Sequence, residues 1–113
     1  MTIIEILEKA RAIHAEGSYR WTRKYFATTA EGIPVADSST WATRWDMLGA
    51  IGRASQASSD SDRRRDACSV LRACVPNGNL MRFTETATYE QVMAAWDAAI
   101  AKARRIAAPA RAA

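Results

Sequence analysis

Apolar residues recur at helical spacing from the start of the chain, at Ile3, Ile6, Leu7, Ala10 and Ile13. That period predicts an amphipathic helix over residues 3 to 16. Thr2 and Glu5 stand where a capping box needs them, and Gly17 is placed to end the helix. The pattern then changes. Trp21, Thr22, Tyr25, Phe26 and Thr28 favour strands, Glu31-Gly32 supplies a turn, and Ile33-Pro34-Val35 follows. Residues 18 to 36 therefore read as a short β-hairpin, with Pro34 confining the return strand to an edge.

A second helix is expected from about 40 to 55, capped from among Asp37, Ser38, Ser39 and Thr40. Trp41, Trp45, Leu48 and Gly52 would form its inner stripe. Gly49 and Gly52 cost helix propensity, so their expected gain is close approach of another backbone, within the chain or in a homodimer. Residues 55 to 62 are linker-like and supply caps for a third helix, with Asp60, Asp62 and Asp66 at its positive end. Its stripe is Ala67, Val70, Leu71 and Cys74, and Pro76 with Asn77-Gly78 stops it. Thr88 and Gln91 make a second capping box. The last helix carries Tyr89, Val92, Met93, Trp96, Ile100, Ala103 and Ala107 on one face. The expected fold is α+β and mostly helical, with four helices and one small hairpin. Residues 1 to 107 form a single compact domain and 108 to 113 a flexible tail.

Composition narrows the function classes. In 113 residues, 49% are hydrophobic and 25% charged, the balance of a globular domain. There is no apolar run of the roughly 20 residues a membrane span needs, and the N-terminus lacks a secretory pattern. Cys68 and Cys74 lie six apart, beyond disulfide reach on one helix, which suggests reduced thiols and a cytoplasmic setting. The net charge of +4 permits an acidic partner without demanding one.

Little of the chain's chemistry is catalytic in pattern. His14 is the one histidine and falls on the buried stripe of the first helix, where a satisfied structural imidazole is expected. Two cysteines and a distant histidine do not make a zinc site, and the five glycines form no phosphate loop, so neither metal nor cofactor is expected. On a helix wheel Asp46 faces away from Trp45, which predicts a solvated carboxylate near an arginine. Arg63-Arg64-Arg65 is neutralised by neighbouring aspartates and reads as a solvated helix start. Trp41, Trp45 and Trp96 are assigned to the core. Trp21 with Arg23, Lys24 and Tyr25 is the candidate partner-binding surface, because Trp and Arg are enriched at binding hot spots.

Three stretches carry a resemblance. They are Trp21-Thr22-Arg23-Lys24-Tyr25-Phe26-Ala27, Glu31-Gly32-Ile33-Pro34-Val35 and Arg44-Trp45-Asp46-Met47-Leu48-Gly49-Ala50-Ile51. Together they resemble a family of small phage and bacterial proteins of unknown function. That family has a Trp-Thr segment, a Gly-x-Pro-Val turn, an Arg-Trp-Cys-x-x-Gly-Ala core helix and a closing amphipathic helix. The similarity runs from residue 5 to about 103. Two positions depart from it. Asp46 replaces the Cys, and Phe83-Thr84-Glu85 with Thr88-Tyr89 replaces a Phe-Asn-Asp and Thr-His segment. A catalytic Cys-His pair at those places would be lost here. The resemblance implies a phage or prophage setting and an accessory protein that binds a host protein or protein–nucleic-acid complex, as an inhibitor of host defence does. The expectation is therefore a non-catalytic binding protein. The alternatives are a small basic nucleic-acid binder, and a small hydrolase or transferase using His14, Cys68 or Asp46.

Overall fold

The computed structural model describes residues 1–56 and 61–107. Among these the chain forms five α-helices and a small three-stranded antiparallel sheet. Helix α1 (Ile3–Ala15) is the hub and packs against α2 (Met47–Ala54), α3 (Ser61–Arg72) and α5 (Tyr89–Ala107). Its buried side chains, Ile6, Leu7, Ala10 and His14, meet Met47, Ala50 and Ile51 of α2, Leu71 of α3, and Val92 and Trp96 of α5 in one core.

The capping boxes form as their sequences require. Thr2 accepts from the Glu5 amide at 3.1 Å and Glu5 returns to the Thr2 amide at 2.9 Å. Thr88 and Gln91 do the same at 3.2 and 2.9 Å. Gly17 follows the C-cap of α1 with φ +150°, and a Cβ there would lie 2.6 Å from the Tyr19 ring.

The expected hairpin forms, with Ala27–Thr28 paired antiparallel to Pro34–Val35, but it is shorter than residues 18 to 36. Residues 18–20 are a single 3-10 turn, Trp21 makes one isolated bridge to Trp45, and regular pairing starts only at β1 (Ala27–Thr28). Strand β2 (Pro34–Val35) lies on one side of β1 and β3 (Arg44–Trp45) on the other. Pro34 is on the edge strand, where its missing N–H costs no ladder bond.

The second helix is correspondingly shorter than expected. Thr43 N–H reaches Thr28 O at 2.9 Å and Asp46 N–H reaches Phe26 O at 3.2 Å, bonds that flank and fix the strand Arg44–Trp45. Asp46 then caps α2, its Oδ1 accepting from Gly49 N–H at 2.6 Å. Trp45 is buried, but from a strand. Trp41 precedes the helix altogether and is 76% exposed, not core.

Helix α4 (Leu80–Thr86) was not anticipated. Asn79 caps it by accepting from Arg82 N–H at 3.1 Å. Asp60 and the tail 108–113 lie outside the described residues.

The glycine notch of α2 is filled from within the chain. A Cβ on Gly49 would fall 1.7 Å from Phe26 O, and one on Gly52 would fall 2.0 Å from the Asp37 carboxylate. The close approach expected at Gly49 is thus a backbone contact, while at Gly52 it is a side chain.

Candidate functional site

Phe26 is pinned at its carbonyl. Its carbonyl accepts from Asp46 and rests on the bare Cα of Gly49. The arm 23–26 is thereby held over the start of α2. The turn at Pro76–Gly78, with Asn77 at φ 57° and Gly78 at φ 65°, swings α4 against the other side. Between arm and helix lies a cleft of about 190 Å³, lined by Arg23, Lys24, Tyr25, Phe26, Asp46, Met81, Thr84 and Glu85.

Three of the four residues singled out as a partner surface line this cleft, and Trp21 does not. Trp21 is half-buried, its ring 6.1 Å from that of Tyr89. The Arg23 guanidinium stacks 4.6 Å from the Trp21 ring and donates to Ala87 O at 3.0 and 3.3 Å. It holds the end of α4 as much as it faces solvent. Lys24 is exposed, its ammonium 5.8 Å from the Tyr25 ring. Tyr25, Phe26 and Met81 are 40%, 58% and 61% exposed, a cluster of large apolar side chains around one opening.

The floor is polar. Asp46 is buried, against the expectation of a solvated carboxylate. Burial pushes its pKa up to about 6, Asp37 adds repulsion, and the Gly49 and Leu48 amides pull the other way. Thr84 lines the same cleft and is also buried, and its Oγ1 has no hydrogen-bond partner. In the sequence Met81 carries no signal, and Thr84 and Glu85 stand out only as a departure from the resembled family's Phe-Asn-Asp segment. Their role comes from α4, whose Asn79 cap was the one cue.

His14 stands apart from this cleft. Trp96 Nε1–H donates to its Nδ1 at 3.0 Å. An indole can only donate, so Nδ1 is the acceptor and Nε2–H donates to Trp45 O at 2.8 Å. The ring is fully buried, and desolvation drives its pKa down to about 4 although the Trp45 carbonyl favours the charged form. Both nitrogens are spent on packing, as the structural reading of this residue expects.

Cys68 and Cys74 are free and half-buried, and burial raises the Cys68 pKa despite Arg72 and Arg64. Arg65 pairs with Asp62 at 2.6 Å on an exposed helix start. Among the described residues no three His, Cys, Asp or Glu side chains converge on a metal position, and no helix is long and apolar enough to cross a membrane.

A small helical α+β domain with an aromatic-rimmed cleft is the class these features define. The chain belongs to the Family of unknown function (DUF6197), which it matches over residues 1–102. No curated protein and no solved structure matches it.

Proposed function

We propose that this chain is a non-catalytic binding protein that engages a macromolecular partner through the arm 23–26 and the adjoining face of α4. The observation that carries the reading is the grouping of Tyr25, Phe26 and Met81 around one cleft, each at least 40% exposed. Large apolar side chains clustered in water mark interaction surfaces more than scattered ones do. Arg23 and Lys24 add the polar border such surfaces carry. The narrower form, a phage or prophage accessory that inhibits a host defence complex, rests on the resemblance alone.

The test is affinity capture from host lysate with three baits: the native chain, Phe26→Asp and Met81→Asp. Both side chains are exposed, so the variants should keep the native melting temperature. A stoichiometric partner held by the native chain and lost by both variants supports the reading. No such partner, or equal retention by all three, refutes it.

A nucleic-acid role draws on the +4 charge and on Arg23, Lys24 and Tyr25. Against it, Arg23 is already bonded to Ala87 O, and Asp46 and Glu85 place two carboxyl groups in the same cleft. Titration with single- and double-stranded DNA and RNA at two salt concentrations decides it, since phosphate binding weakens steeply with salt. The hydrolase or transferase reading would use His14, Cys68 or Asp46, and of these His14 has both ring nitrogens committed while Asp46 alone lines the cleft.

A further inference from the structure

The floor of the cleft has hydrogen-bonding capacity that the fold leaves unspent. Thr84 is 2% exposed and its Oγ1 has no partner. Thr86, on the same helix, returns its hydroxyl to Arg82 O at 2.8 Å, so the helix does not forbid that bond in general. A buried orphan hydroxyl is destabilising, because its lost hydration is not replaced. Asp46, 4% exposed, lines the same cleft, and Glu85 stands on its wall. The rim above is apolar, formed by Phe26 and Met81 with Tyr25 beside them.

Apolar walls over a floor of acceptors suit an aliphatic stem ending in a donor-only head. Lysine and arginine have that shape. We infer that the cleft is a pocket for a basic side chain of a protein partner, its stem against Phe26 and Met81 and its head among Asp46, Thr84 and Glu85. The inference rests on the partner-binding reading above and names the chemistry that the partner presents.

The local charges agree with this choice. An acidic side chain would meet the carboxylates of Asp46 and Glu85. The start of α2 contributes at most about half a positive charge, which the full charge of Asp46 outweighs. Arg23 is held by Ala87 O and Trp21. Arg23 keeps its charge there, so Arg23 and Lys24 both oppose a basic head, and removal of the exposed Lys24 should strengthen binding.

The experiment is an amide-shift titration of the full chain at neutral pH with four probes: the Nα-acetyl amides of lysine, arginine, norleucine and glutamate. The basic probes should give saturable shifts at Phe26, Thr84 and Glu85. Asp46→Asn keeps the N-cap and should weaken them about tenfold, while Lys24→Ala should tighten them. Thr84→Val should weaken binding about threefold while raising the melting temperature, because it deletes an orphaned hydroxyl at constant shape. A merely structural Thr84 would not link those two readouts. Equal binding of the norleucine or glutamate probe, no saturable shift at these residues, or an unchanged affinity in Asp46→Asn overturns the inference. If that happens while lysate capture still depends on Phe26 and Met81, the pocket chemistry fails and the binding reading stands.

Discussion

Replacing Asp46 by Asn should stabilise the protein above pH 6 and do nothing near pH 4. The carboxylate is 4% exposed, and its pKa lies near 6 against an ordinary 3.8. A carboxyl group whose pKa rises on folding favours the folded state while it is protonated in both states. That advantage is present below pH 3.8 and is lost as pH climbs through 6. At about 1.4 kcal/mol per pH unit, the loss reaches about 3 kcal/mol at neutrality. Asn removes the charge and keeps an oxygen for Gly49 N–H, so the cap survives. The charged group acting on Asp46 is Asp37, which stays in place in the variant.

His14 makes the wild-type profile deceptive. Its pKa falls on folding to about 4 from 6.5, so the folded state resists protonating it. Stability from this group is complete above pH 6.5 and is lost as pH falls towards 4, again by about 3 kcal/mol. Between pH 4 and 6 the two groups run in opposite directions and nearly cancel. Asp46→Asn should therefore unmask the histidine slope. Urea denaturation of both proteins at pH 4, 5, 6 and 7.5 measures the difference directly, and other carboxyl groups drop out of it. A variant no more stable than wild type at pH 7.5, or a gap that persists at pH 4, would refute the linkage argument.

Three further outcomes follow from packing. Gly49→Ala would gain about 1 kcal/mol at an exposed helical site. Here its Cβ would fall 1.7 Å from Phe26 O, so a net loss above about 2 kcal/mol is expected by chemical denaturation, and a gain would sink the close-approach argument. Trp96→Phe strands the His14 Nδ1 without its donor and should cost about 1–3 kcal/mol, a value near zero showing that the bond carries no weight. Trp41→Ala should stay within about 0.5 kcal/mol of wild type by thermal melt, since the ring is 76% exposed, and a large loss would return Trp41 to the core.

Local signals in the chain were enough for what local physics controls. The capping boxes at Thr2 and Thr88, the stop at Gly17 and the edge position of Pro34 each depend on residues a few positions apart, and each stands as its neighbours imply. The buried character of His14 was also legible, because it shares a helical stripe with Leu7 and Ala10.

Residues 43–46 show where that reading stops. Trp41, Trp45 and Leu48 fit a helical period, yet Thr28 of β1 and the adjoining Phe26 offer carbonyls to Thr43 and Asp46, and satisfying those outweighs continuing the helix. That decision moved Trp41 into water and Asp46 into a cleft. The cleft itself depends on α4 meeting the arm 23–26 across more than fifty positions of chain, a contact no periodicity encodes. Periodicity and capping are short-range and written in the sequence. Burial of a polar side chain, and the pKa it acquires, belong to whichever distant segment closes over it, and here only the tertiary structure chose that segment.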